Sequence, residues 1–393
     1  MDKRLLTLAL GMFALGTDSF VIAGVLPQVA HSFDVSIGVA GQLTTVYALA
    51  YALLSPTIAA AAAHINRKGL MLSGLGVFIA ANLATAWAPS IALALVARAL
   101  AGLGAAMYAP TAMGSGTSIV APEKRGFALA IVVAGLTAST ALGSPIGTVI
   151  GGLGDWRWTM VFVSSVSMIA AVGIALFLSH IPMAPAISLK QRLSVFSDHR
   201  VALTLLTTLL VQCGTFIIYT YFAVVFDRAI GGNPIILAAL LVLFGLSGTL
   251  MNLANGRLID KIGTRKVLTG VLIVLMVVTA TFGWSSATLA TAVVAIALYG
   301  AAGWGQLVPQ QHNLVSLVPS AAPIVLGLNT SVTYIGVASA GVIGAAGLQV
   351  VGPHHLGYIS FFLMTGALLA SRVAQRATDN HNAKLQAKTV TSA

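Results

Sequence analysis

Residues 5–29 read LLTLALGMFALGTDSFVIAGVLPQV, an apolar run broken near its centre by one acid, Asp18. A run of this length is what an α-helix needs to cross a hydrocarbon core of about 30 Å. A charge at the middle of such a helix costs roughly 2.5–3.5 kcal/mol on insertion scales, so intramembrane charges usually mark a transport or proton pathway. Eleven further apolar stretches follow, at about 37–62, 70–88, 91–118, 127–153, 158–179, 201–224, 234–255, 267–285, 288–311, 324–350 and 357–375. They exclude the short alternating strands of a membrane barrel. The chain is therefore read as an all-α integral membrane protein with twelve transmembrane helices. A secretory signal peptide has a short apolar core and a small-residue cleavage site. The first run is too long for that, contains Pro27 and is expected to remain as the first helix.

Composition agrees. Of the 393 residues 58% are hydrophobic and 7% charged, too few polar groups to coat a soluble globule of this size. The net charge of +11 does not point to nucleic acid, because the basic residues sort by side of the membrane. With the N-terminus inside, seventeen of the twenty Lys and Arg residues fall in inside segments, only Arg157 and Arg228 fall outside, and Arg98 lies within a span. Both termini are thus expected in the cytoplasm. The single cysteine, Cys213, is mid-helix and has no intrachain disulfide partner.

The longest segment between spans, with Pro182, Pro185, Lys190 and Arg192, falls near the chain midpoint and divides it. The expected organisation is an N-terminal six-helix bundle (1–180), a cytoplasmic linker (181–200), a C-terminal six-helix bundle (201–376) and a cytoplasmic tail (377–393). A weak repeat crosses the linker. Gly256-Arg-Leu-Ile-Asp260-Lys-Ile-Gly263-Thr-Arg265-Lys266 is echoed by Ala59 to Lys68, and Gly102 and Pro110 by Gly300 and Pro309. Two halves related by an axis along the membrane normal carry such a repeat.

These residues resemble the major facilitator superfamily, in particular its twelve-span drug:proton antiporter branch. The loop signature of that family is matched by Gly256, Asp260, Gly263, Arg265 and Lys266. In the first-half copy Ala59 and Ala63 stand at the glycine and acid positions, and only Arg67 and Lys68 remain. The helix-4 signature is matched by Arg98, Gly102 and Gly104, and the antiporter signature of helix 5 by Gly143, Pro145 and Gly147 followed by Gly151 and Gly152. Shorter segments, including Pro27-Gln28, Gly41-Gln42, Tyr219 to Ala223, Pro309-Gln310-Gln311 and Asn329-Thr330, resemble bacterial sugar, purine-nucleoside and chloramphenicol efflux members. The resemblance implies two pseudo-symmetric six-helix bundles and alternating access. It also implies a site in the bacterial inner membrane and proton-coupled efflux of a small polar or amphipathic solute.

Asp18 and Arg98 lie at matching depths, roughly 10–15 Å from the outer face at 1.5 Å per residue. If helices 1 and 4 are neighbours, as the resemblance implies, the two form the proton-coupling pair. Relatives in the efflux branch often carry the acid one position later, where this chain has Ser19. A carboxylate capping a helix break, and an arginine reaching out to the interface, are the plainer alternatives. For Gly143, Pro145 and Gly147 the expectation is a kinked, closely packed helix at the interface between halves. For Gly256, Asp260, Arg265 and Lys266 it is a conformational latch.

Amides and aromatics of the C half offer a cargo surface: Gln212, Tyr219, Tyr221, Asn252, Asn255, Trp304, Gln306, Gln310, Gln311, Asn329 and Tyr334. Because helices 7 and 10 face the cavity in this fold, Gln212, Tyr219, Gln306 and Gln310 are preferred, with Tyr108 of helix 4 a further candidate.

No phosphate-binding Gly-x-x-x-x-Gly-Lys-Ser/Thr loop is present, which excludes an intrinsic ATP motor; the proton gradient that the resemblance implies is the expected energy source, with no cofactor. The expected partners are the cargo, protons and lipid, and one chain suffices for the path. A proton-coupled importer of the same fold is an alternative reading. A more distant one is an intramembrane hydrolase built on Ser115, although none of the eight histidines is placed to serve as its base.

Overall fold

Polar caps at the apolar runs decide where helices begin. In a computed structural model that describes residues 2–61, 65–179, 181 and 194–391, Asp2, Asn66, Ser90, Asp198, Asn233 and Thr288 each accept a backbone N–H of the first turn that follows. Such caps satisfy donors that lipid cannot. The twelve spanning helices are α1 (Lys3–Ser32), α2 (Ile37–Ile58), α3 (Arg67–Ala86), α4 (Ile91–Ser118), α5 (Arg125–Leu153), α6 (Arg157–Phe177), α7 (His199–Thr220), α8 (Pro234–Ile262), α9 (Thr264–Ser285), α10 (Leu289–Leu317), α11 (Pro319–Val350) and α12 (Pro353–Ala383). There is no strand among the described residues.

Packing repeats across the midpoint. In the first half α1 lies against α5 and α6, α2 against α4, and α3 against α4 and α6. In the second half α7 lies against α11 and α12, α8 against α10, and α9 against α10 and α12. Adding six to each first-half label gives the second-half pairs. The contacts between halves obey the same operation, since α2 packs on α11 and α8 packs on α5. The fold is two pseudo-symmetric six-helix bundles facing one another. Side chains on the outer surface are large and apolar, among them Leu253, Val350 and Phe362. That distribution suits lipid as the surrounding solvent.

Several boundaries differ from the sequence reading, each for a local reason. The helix of span α12 does not end near residue 375 but runs unbroken from Leu356 to Thr391, so the segment expected as a tail begins as an extension of the last helix. After α7 the chain makes two further short turns, Phe222–Val225 and Asp227–Ile230. It stops where Gly231 and Gly232 take positive φ, a conformation glycine adopts without strain. Most of the expected linker, residues 182–193, lies outside the described residues, as does Ala63 of the first-half loop.

Two prolines reshape their helices. Pro145 has no N–H to offer the carbonyl four residues back, and α5 carries a π-turn over Ser139–Gly143 immediately before it. Pro309 likewise leaves the Gly305 carbonyl free in α10. Asn255 of α8 takes it, its Nδ2 donating at 2.8 Å, and the helix breaks at Gln306. The break resets the phase of every residue beyond it.

Candidate functional site

A run of small residues makes α4 thin. Ala94, Ala97, Ala101, Gly102, Gly104 and Ala105 are all buried. A Cβ on Gly102 would sit 2.5 Å from the Tyr47 carbonyl oxygen of α2, and one on Gly104 would sit 2.6 Å from the Gly74 carbonyl oxygen of α3. Held this close, Arg98 cannot reach outward to the interface. It points into the first bundle, where its Nη1 donates to Asp18 Oδ1 at 2.6 Å and lies 3.4 Å from Asn82 Oδ1 of α3. Its guanidinium carbon stands 4.7 Å from the centre of the Tyr47 ring, a cation–π arrangement. Both charged side chains are fully buried. Asp18 Oδ2 and Arg98 Nε make no hydrogen bond.

Beside this pair a cavity of about 200 Å³ opens between the halves. Ser19, Phe20, Tyr47 and Tyr51 line it from the first half, and Gln212, Phe216, Phe244, Trp304, Gln311, Asn329 and Tyr334 from the second. No Asp, Glu, Lys, Arg or His lines it. The ion pair itself is not in the wall. Tyr47 and Ser19 stand between, with Ser19 Oγ 3.1 Å from the Tyr47 hydroxyl.

Twelve crossings bring both termini to one face. The cavity extends toward that face, because Met12 and Leu15 lie early in α1, Met113 late in α4, Val133 early in α5 and Gln311 late in α10. The other end is closed. Tyr219 donates to the Phe20 carbonyl at 3.3 Å and bonds Ser144 Oγ at 3.4 Å, while Gln42 Nε2 donates to the Gly341 carbonyl at 3.2 Å. These are the hydrogen bonds between the halves among the described residues, and none lies on the termini face.

Of the five expected cargo residues only Gln212 lines the cavity. Tyr219 plugs its closed end. Gln306 is buried at the α10 break. Gln310, turned by that break, donates to the Thr204 carbonyl and to Thr208 Oγ1 inside the second half, leaving its neighbour Gln311 to face the cavity. Tyr108 is sealed in the first half and donates to the Leu8 carbonyl at 2.9 Å. Its position is structural. Tyr108→Phe removes one buried hydrogen bond but leaves the Leu8 carbonyl its helical partner, so it should destabilise by only about 1 kcal/mol in detergent melting experiments while leaving cargo affinity unchanged.

Gly143 and Gly147 face α1 within their own half: a Cβ on Gly143 would strike Thr17 Oγ1, and one on Gly147 would sit 2.5 Å from Val21. Helix α5 is kinked and lies at the interface between halves as expected, but these two glycines serve its packing on α1 rather than the contact between halves. That contact is made by Thr140, whose carbonyl carbon lies 2.6 Å from a Cβ built on Gly245 of α8, and by Gly152 against Pro234. The loop latch is also rearranged. Arg265 forms a two-pronged ion pair with Asp379 of the α12 extension, at 2.8 and 2.5 Å. Asp260, Gly256 and Lys266 are exposed, and Asp260 makes no ion pair among the described residues. Ser115 is buried with no hydrogen-bond partner, so no base is placed to activate it among the described residues.

Two pseudo-symmetric six-helix bundles around a central cavity, with a buried ion pair alongside, are the arrangement of a membrane transporter. The chain belongs to the Major Facilitator Superfamily, whose family model matches residues 8–341. It is 30% identical over 370 residues to the inner membrane transport protein YdhP of Escherichia coli strain K12, covering 94% of each chain. It is 26% identical to a "Probable sugar efflux transporter" of Mannheimia succiniciproducens, over 92% of this chain and 90% of the relative. To a chloramphenicol resistance protein of Streptomyces lividans it is 30% identical, over 66% of this chain and 68% of that one. Among solved structures it superposes on a bacterial homologue of the human lysosomal transporter Spinster, in an inward-facing and unoccupied conformation. The TM-score is 0.74 with 16% identity, covering 95% of this chain and 96% of that one.

Proposed function

We propose that this transporter exports a small uncharged amphipathic solute in exchange for protons, with Asp18 as the proton carrier. The observation that carries the reading is the fully buried Asp18–Arg98 pair set behind the wall of a cavity that itself holds no charge. A carboxylate that can be neutralised beside a fixed guanidinium alters the electrostatics of one half without a cofactor. Protonation favours one access state to the extent that the two states solvate the pair differently. One proton moving through about 100 mV supplies roughly 2.3 kcal/mol, enough to concentrate a neutral solute by somewhat under two decades.

The aromatic lining, with amides from Gln212, Gln311 and Asn329, suits a ring-bearing neutral molecule such as a nucleoside or a chloramphenicol-like compound. The names of the sugar efflux and chloramphenicol resistance relatives support a neutral cargo and an outward direction. The bias of lysine and arginine toward the termini face supports a cytoplasmic location for it, and hence a cavity open to the cytoplasm in this state. A bacterial inner membrane is the corresponding site, and a single chain contains the whole path.

Uptake into inside-out vesicles tests the proposal, because it reproduces export. Chloramphenicol and a nucleoside panel should accumulate when the vesicle interior is acid, and accumulation should collapse when an ionophore dissipates the gradients. Accumulation indifferent to the ionophore would show that protons do not drive it, and accumulation only in right-side-out vesicles would make the protein an importer.

A further inference from the structure

Of the two side chains between the ion pair and the cavity, Tyr47 is the larger, and its position is fixed from two directions. On one side Gly102 admits the α2 backbone so closely that Tyr47 lays its ring over the Arg98 guanidinium, 4.7 Å from ring centre to carbon. On the other side the Tyr47 hydroxyl bonds Ser19 Oγ at 3.1 Å, and both residues form part of the cavity wall. Asp18 Oδ2 carries no hydrogen bond and is shielded from the cavity by this arrangement. The groups facing the carboxylate are Arg98 from α4, with Asn82 of α3 behind it, Tyr47 from α2 and, across the cavity, Tyr334 from α11.

We propose that Tyr47 is the gate between the cavity and the Asp18–Arg98 pair. With its ring over Arg98 and its hydroxyl on Ser19, it keeps cavity water from the free carboxylate oxygen. When the ring swings away, the carboxylate faces the cavity and can exchange its proton there. Tyr47 is a positioning residue in this scheme. It does not carry the transported proton, but a cargo molecule lying against its ring would decide when the carboxylate is reachable. The proposal rests on the reading of Asp18 as the proton carrier, yet its first test does not depend on transport.

Dicyclohexylcarbodiimide adds a protonated carboxyl across one of its C=N bonds, and mass spectrometry of the Asp18 peptide reads the adduct in the full-length protein in detergent. Labelling of the wild type should be slow. Tyr47→Ala should be labelled about tenfold faster, Tyr47→Leu, which keeps bulk but not the cation–π contact, about threefold faster, and Tyr47→Phe within about twofold of the wild type. The second readout is cargo-free proton leak into proteoliposomes. It should rise in Tyr47→Ala and fall back when Asp18→Asn is added. Equal labelling of wild type and Tyr47→Ala overturns the gate, and Tyr47→Leu decides in the same way should Tyr47→Ala fail to fold. Faster labelling without an Asp18-dependent leak keeps the gate and overturns the proton-carrier reading instead.

Discussion

Replacing Asp18 by asparagine is expected to abolish proton-driven accumulation and to lower stability more than replacing Arg98 by methionine does. The order follows from what each variant leaves behind. Asp18→Asn leaves a guanidinium in a fully buried site with only an amide and the Tyr47 ring to offset its charge. Breaking a buried pair in this way costs about 3–5 kcal/mol, because an arginine cannot shed its charge. Arg98→Met leaves a lone carboxyl, which becomes neutral by binding a proton and so loses less. The double variant Asp18→Asn/Arg98→Gln removes both charges and should recover most of the melting temperature, while transport stays absent. Thermal unfolding in detergent and vesicle accumulation, run on the same four proteins, check both halves of this expectation. Recovery of stability without recovery of transport would show that the pair is kept for what it does rather than for what it holds together. Wild-type accumulation in Asp18→Asn would remove the acid from the mechanism.

This pair was legible in the sequence because the physics leaves few options. Two opposite charges at one depth in an apolar bundle cost far less together than apart. Asn82, the only asparagine in α3, completes the site, but an uncharged amide in a bundle does not stand out in sequence as the two charges do. The cargo surface was less legible for two separate reasons. Past Gln306 the helical phase depends on how Pro309 is accommodated. Whether Gln310 or Gln311 faces the cavity was therefore settled by Asn255 reaching the Gly305 carbonyl from another helix. In the first half the wall is built from Phe20, Tyr47 and Tyr51, whose side chains read in sequence as ordinary packing. Only the gap between the halves distinguishes them from buried rings such as Tyr108.

The loop motif shows a third limit. A fixed spacing of acid and base suggested that Asp260 would serve the basic pair, but Arg265 instead meets Asp379, brought over by the extension of α12. Nothing local to either segment announces that meeting. The twelve-helix plan was readable because it depends only on length, hydropathy and the sidedness of charge, all of which survive errors of several residues at each helix end.

A disulfide across the closed end should stop transport, and reduction should restore it. A Cβ on Gly38 of α2 would stand 3.1 Å from the Ala345 Cβ of α11, slightly inside the 3.5–4.5 Å typical of a disulfide, so a few tenths of an ångström of relaxation brings two cysteines into bonding range. The buried Cys213 would be replaced by alanine to leave no competing thiol. In that background Gly38→Cys/Ala345→Cys joins α2 to α11 on the face opposite the termini, where the Gln42–Gly341 hydrogen bond also ties the two halves. If access alternates by separating the halves at that face, the oxidised protein is held in the state open toward the termini. Accumulation in vesicles should then fall by about twentyfold or more and return with dithiothreitol. Cargo binding should persist in the oxidised form, because Gln212, Trp304 and Asn329 line a cavity that stays open toward the termini. Full transport by a protein shown to be cross-linked would mean that the halves need not part at α2 and α11, and alternating access through that seam would have to be given up.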